Sequence, residues 1–147
     1  MCLGSITVTR DHTLTNRLER WTPGIINNSS VVLRVAYGEV SFLLTGDIEH
    51  YAESAMLASG INLASMVYKV PHHGSDTSSA QEFLDAVAPT VAVISVAVEN
   101  RFRYPDEEVV ARLRHGVVLD NNVLLTSDRG DIQFTTDGEK LWMDTER

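Results

Sequence analysis

The sequence predicts a layered α/β fold built on a mixed sheet. Three observations carry this expectation. Residues 31–36 and 40–44 are apolar runs joined around Tyr37-Gly38-Glu39, the pattern of a β-hairpin. Helix-like and strand-like segments then alternate, and a β-rich tail follows. Residues 90–96 are a nearly continuous apolar strand, as expected in a sheet covered on both faces.

The elements follow in order. Residues 5–9 (Ser-Ile-Thr-Val-Thr) alternate like a short strand, and residues 16–21 suit a helical turn stopped before Pro23. Asn27-Asn28-Ser29-Ser30 is a polar turn cluster. Residues 1–26 are the least patterned, so the reading divides the chain into an N-terminal segment, 1–26, and a domain, 27–147. Asp47, a favoured N-cap type, opens a helix through residue 59 with Ile48, Ala52, Ala55 and Met56 inward. Gly60 stops that helix. Residues 65–70 form the next strand. Ser79 caps a helix reaching residue 87, with Phe83, Leu84 and Val87 as its apolar stripe, and Pro89 ends it. Pro105 takes the first position of a helix to residue 114, turning Val109, Val110 and Leu113 inward. Short strands are expected near 117–119, 123–126 and 132–135, with turns at 127–130 and Asp137-Gly138, and an edge strand at Leu141-Trp142.

A length of 147 residues fits one domain, and 44% hydrophobic with 22% charged residues is ordinary globular composition. The net charge of −8 opposes a general electrostatic grip on nucleic acid. It leaves room for a local basic face, since Arg101, Arg103, Arg112 and Arg114 fall close together. No run is long enough for a membrane span, and Met1-Cys2-Leu3-Gly4-Ser5 has no signal-peptide pattern. The single Cys2 excludes an internal disulfide.

Chemistry concentrates in His72-His73-Gly74-Ser75, directly after the apolar run 66–71. Adjacent imidazoles past a buried strand make a metal site plausible, and Asp47, at the end of another apolar strand, adds a carboxylate. Ser75, Thr77, Ser78 and Ser79 are hydroxyls suited to phosphate oxygens. Each residue has a plainer reading. Asp47 serves as an N-cap, the two imidazoles as surface histidines, and Ser78 and Ser79 as caps. His12, His50 and His115 are expected in solvent. Asn100 and Tyr104 fall at the same sheet end, where turn and packing roles compete with substrate binding.

The ordered string is more specific than its parts. It runs from Asn27-Asn28-Ser29-Ser30-Val31-Val32-Leu33-Arg34 through Tyr37-Gly38, Ser41-Phe42-Leu43-Leu44-Thr45-Gly46-Asp47 and Lys69-Val70-Pro71-His72-His73-Gly74-Ser75. It continues through Thr77-Ser78-Ser79, Ala88-Pro89, Val93-Ile94-Ser95 and Asn100-Arg101-Phe102 to the helix after Pro105. It resembles the C-terminal part of the metallo-β-lactamase-fold domain of ComEC-type DNA-internalization (competence) proteins, over about residues 27–134. The resemblance implies an αββα sandwich, of which this chain supplies mainly the C-terminal half. It implies a site for two divalent metals, zinc or manganese. Asp47 would bridge them and His72 or His73, preferentially His73, would bind the second, with Ser75, Asn100 and Tyr104 on the substrate side. It implies metal-dependent phosphodiester hydrolysis of DNA during DNA uptake, by a domain that the family attaches to a bacterial membrane protein.

Two positions depart from the family pattern. The His-x-His-x-Asp-His motif that opens the family domain is absent, the nearest string being Thr7-Val8-Thr9-Arg10-Asp11-His12. Tyr104 stands where a His commonly precedes the Pro of the last helix. The expected hydrolase is therefore incomplete in this chain, and its partner would be an N-terminal half-domain or a second copy. Two rivals remain. One is a non-catalytic scaffold or interaction module that keeps the fold without metals. The other is a small-ester metallo-hydrolase drawing ligands from Asp11, His12 or the C-terminal acids. Metal content separates the module from the hydrolases, and activity on single-stranded DNA separates the two hydrolases.

Overall fold

The computed structural model describes residues 5–9, 23–117 and 120–147. Among these, β1 (Ser5–Thr9), β2 (Val32–Tyr37), β3 (Val40–Leu44), β4 (Val67–Lys69), β5 (Val91–Ile94) and β6 (Val123–Leu125) make one sheet in chain order. The first two pairings are antiparallel, and β3–β4, β4–β5 and β5–β6 are parallel. The expected mixed sheet is thus observed. The β2–β3 hairpin holds the register Leu33 to Leu44 and Tyr37 to Val40.

Parallel neighbours need long crossovers, because the chain must return to the same end of the sheet. Helices α2 (His50–Ser59), α3 (Gln81–Val87) and α4 (Glu107–Arg112) lie in these connections. The crossovers pack Ile48, Ala52, Phe83, Leu84, Val87, Val109 and Leu113 against one sheet face, onto Leu43, Tyr68, Ala92, Ile94 and Val123. Side chains alternate across a strand. The other face therefore carries Val67, Val93 and Leu124, and these pack with Ile132, Phe134 and Leu141. The last three belong to the hairpin β7 (Ile132–Thr136) and β8 (Leu141–Thr145), an antiparallel pair outside the main sheet. Phe42 meets Phe134 edge to face at 5.8 Å between ring centroids. The β7–β8 turn sits against the β2–β3 turn, where Glu39 donates its N–H to the Gly138 carbonyl. A Cβ at Gly38 would lie 2.2 Å from that carbonyl oxygen, so this close approach needs glycine. Val31 and Leu44 remain exposed, as does Tyr37, whose ring lies against Gly138 of the β7–β8 turn.

Several local expectations are corrected. Asp47 does not cap α2, whose N-cap position is Glu49, two residues later. Ser79 does not cap α3. It has φ +58°, and Ala80 holds the N-cap position without a side-chain cap. Pro105 does not start α4; it follows a cis peptide bond from Tyr104, and Asp106 caps the helix through the Glu108 N–H at 2.9 Å. Pro23 opens the short helix α1 (Pro23–Asn27). Val117 ends a π-helical turn, Leu113–Val117, and the rest of the strand expected at 117–119 lies outside the described residues. The expected turn at 127–130 is mostly a one-turn helix, α5 (Thr126–Arg129). The turn expected at 16–21, and Asp11 and His12, lie outside the described residues. Among the described residues no helix is long and apolar enough to cross a membrane.

Candidate metal centre at the carboxyl ends of the parallel strands

In open α/β sheets, ligands bind beyond the carboxyl ends of the strands. Here the segments following β3, β4 and β5 bring Asp47, His72–His73 and Ser95 to one such end. Backbone bonds tie these segments together. The His72 N–H donates to the Gly46 carbonyl at 3.2 Å, and the His50 N–H to the Thr77 carbonyl at 2.9 Å. The Val70 N–H donates to Val93 and the Asp106 N–H to Gly74. The Thr45 hydroxyl donates to the Lys69 carbonyl at 2.6 Å, and Ser30 Oγ accepts the Asp47 N–H at 3.1 Å.

His72 and His73 both have left-handed backbone, with φ of 47° and 57°. Such conformations are unfavourable for residues with a Cβ and persist where the surroundings impose them, often at functional sites. They turn the two rings apart. His73 Nδ1 is 2.7 Å from the Ser95 carbonyl, which can only accept, so Nδ1 carries the proton. In the neutral ring Nε2 then bears the lone pair, and it faces Asp47 Oδ1 at 4.0 Å. A ring fixed through one nitrogen by a carbonyl, with the other free to coordinate, is the usual arrangement of a metal-binding histidine. Both side chains are about half exposed, 49% for His73 and 48% for Asp47.

His72 is more enclosed. Its Nδ1 lies 3.2 Å from Thr77 Oγ1 and 3.5 Å from Glu49 Oε1. Glu49 also accepts from Asn27 Nδ2 at 2.9 Å. Edge to face, the His72 ring meets Tyr104 at 5.6 Å.

The remaining sequence candidates fall into supporting positions. Ser75 is buried, with its hydroxyl 3.1 Å from Thr77 Oγ1. The Asn100 side chain brackets Tyr104, accepting its N–H and donating to its carbonyl, each at 2.8 Å. Tyr104 thus stands with its ring beside His72.

Two residues not singled out by sequence belong to this region. Burial pushes the Lys69 ammonium below its ordinary range, opposed by the Asp47 carboxylate, and its Nζ donates to the Val70 carbonyl at 2.8 Å. Glu53, 1% exposed, accepts the backbone N–H groups of Ser79 and Ala80 and pairs with His50 Nδ1 at 3.1 Å. His50 is exposed, as expected, and its Nε2 also lies 3.1 Å from the Asp76 carbonyl. A single buried acid on α2 left no periodic signal.

For metal binding, the donor chemistry of Asp47 and His73 fits two ligand positions of a divalent ion. It falls short of the three protein ligands that catalytic zinc keeps. Among the described residues no cluster of three or more His, Cys, Asp and Glu is gathered for an ion.

The fold and this strand-end site define a mixed α/β domain with one side of a candidate metal centre. Comparison with known proteins gives relatives. The chain is 38% identical over 113 residues to ComE operon protein 3 of Bacillus subtilis, a match covering 76% of this chain and 14% of that protein. It is 42% identical over 110 residues to Competence protein ComA of Neisseria gonorrhoeae, covering 74% and 15%. Recombination protein 2 of Haemophilus influenzae is 35% identical over 99 residues, covering 67% and 12%. These relatives point to a competence-related family, and the chain matches only about a seventh of the first two. No family model matches the chain, and no solved structure does.

Proposed function

We propose that this chain forms the C-terminal half of a metallo-β-lactamase-like hydrolase domain acting on DNA phosphodiesters during competence-linked DNA uptake. The observation that carries the reading is His73, with Nδ1 held by the Ser95 carbonyl and Nε2 turned to Asp47. Asp47 and His73 would hold one side of a divalent ion, zinc or manganese. The remaining ligands would come from an N-terminal half-domain or a second copy. The exposed Val31 and Leu44 give such a partner an apolar surface to cover.

A bound ion would supply a more acidic water and neutralise charge on the phosphoryl oxygens. The chain's own residues do the positioning. Ser95 fixes the His73 tautomer, and the left-handed His72–His73 pair aims the ring. Thr77 and Glu49 hold the neighbouring imidazole against Tyr104.

Manganese titration followed by NMR tests this, because paramagnetic broadening reports weak binding. The His73 ring signals are expected to broaden first, and Asp47→Asn should weaken the effect. Hydrolysis of single-stranded DNA is then expected only when the missing ligands are supplied. Unselective broadening, unchanged in Asp47→Asn and His73→Ala, overturns the metal reading. It would favour a non-catalytic scaffold module.

A further inference from the structure

Beside the His72–His73 turn, the loop after β5 carries a column of flat side chains. The Tyr104 ring stands edge-on to His72 at 5.6 Å. Phe102 stacks on Tyr104, with centroids 5.5 Å apart and planes at 15°. The Arg101 guanidinium carbon lies 4.6 Å from the Phe102 ring centroid. Phe102 is nevertheless 59% exposed, and Arg101 and Arg103 are exposed beside it.

The loop is built to hold this arrangement. Asn100 clamps Tyr104 through both backbone groups, and its carbonyl accepts the Arg103 N–H at 3.2 Å. Arg103 sits at φ +62°, and the Asp106 N–H is tied to Gly74 at 2.8 Å. A phenylalanine held in water by such a frame gains little for folding, because most of its surface stays wet. Its ring already meets the Arg101 guanidinium, a contact that a base could share or replace.

We infer that the Arg101–Phe102–Tyr104 column, with the Arg101 guanidinium laid over the Phe102 ring and Arg103 beside it, is a stacking platform for the bases of single-stranded nucleic acid. The inference rests on the phosphodiesterase reading for its substrate class. The chemistry of the column supports that class. Bases of every sequence stack on aromatic rings and on guanidinium planes. The two arginines supply cations for the flanking phosphates in a chain whose net charge is −8. A strand stacked here would run past His72 toward the Asp47–His73 end. With about two phosphates neutralised, the logarithm of affinity should fall with the logarithm of salt at a slope of only about −1.4.

The test is binding of a fluorescently labelled twelve-nucleotide oligothymidylate by the full chain in EDTA, where neither metal uptake nor hydrolysis contributes. Phe102→Ala is expected to weaken binding roughly tenfold, and Phe102→Trp to retain it. An abasic strand of equal length should bind the parent chain as poorly as the oligothymidylate binds Phe102→Ala. Thermal unfolding confirms that the exposed-site variants fold. No binding by the parent chain, equal binding of the abasic strand, or no effect of Phe102→Ala overturns the inference. So would preferential capture of aromatic or proline-rich peptides. The two readings fail separately: base-dependent binding without manganese broadening at His73 would leave the platform and remove the hydrolase.

Discussion

Glu53 Oε1 accepts the backbone N–H of Ser79 at 2.5 Å, across 26 residues of sequence. Its other oxygen accepts the Ala80 N–H at 3.0 Å and faces His50 Nδ1. Ser79 is also held by Arg112, which donates to its carbonyl, and by Tyr68, whose hydroxyl meets Ser79 Oγ at 3.1 Å. These bonds maintain the left-handed Ser79 and supply the N-terminus of α3 with a carboxylate from another helix. Glu53→Ala leaves two inward-facing N–H groups unpaired and should cost about 3 kcal/mol. Glu53→Gln keeps an acceptor and should cost less. Urea denaturation at neutral pH measures both, and equal stabilities for Glu53→Ala and the parent would show that the clamp contributes nothing.

Gly74→Ala should be nearly as damaging, for a different reason. Gly74 has φ +82°, and a Cβ there would lie 2.6 Å from Pro105 Cβ. The expected loss is about 2 kcal/mol, combining left-handed strain with overpacking. Because Gly74 joins the His72–His73 turn to the segment before α4, the change should also shift the His73 ring resonances. Stability close to the parent, with unmoved His73 signals, would contradict this.

What sequence made legible follows from how far each determinant reaches. Strands β2, β3 and β5 were readable because their apolar runs are local and their burial follows from side-chain alternation. The gathering of Asp47 and His73 at one sheet end was readable too, since both directly follow apolar strands. Capping was not. Asp47 and Ser79 are suitable cap residues by type, but the strand-to-helix turns place them outside the cap positions. Glu53, 26 residues away, serves the end of α3 instead. The fixed tautomer of His73 was equally hidden, because its determinant is a backbone carbonyl 22 residues later that any residue could supply.

Asp137 anchors the turn that seats the β7–β8 hairpin on the sheet. Its Oδ1 accepts the N–H of Lys140 at 2.8 Å and of Glu139 at 2.9 Å, and the bond to Lys140 is the larger influence holding its carboxyl below the ordinary 3.8. A carboxyl depressed in the folded state stabilises above its unfolded pKa, and the benefit is lost as pH falls through the folded value. The parent should therefore exceed Asp137→Ala in stability at pH 6, and the ionic part of that advantage should fade below about pH 3.8. Thermal melts of both chains across that range check this, and a gap that widens in acid would reverse the assigned sign.

Lys69 should behave in the opposite sense. Burial lowers its pKa below 10.5, with Asp47 partly opposing, so the unfolded chain binds more protons in the window between the lowered value and 10.5. Stability attributable to Lys69 must then rise with pH through that window, and the protonated lysine is a burden at neutral pH. Tyr68 complicates the total, because burial, with Glu53 adding, raises its phenol above 10.0, and this favours the folded state less as alkali ionises the unfolded chain. The Lys69→Met difference removes that common contribution. Methionine keeps an unbranched apolar stem and discards the charge. Lys69→Met should melt higher than the parent at pH 7, with the gap closing as pH approaches 10.5. A destabilised Lys69→Met at pH 7 would mean that the ammonium's attraction to Asp47, and its bond to the Val70 carbonyl, outweigh its burial. The strand end would then be held together by the same charges that face the candidate metal centre.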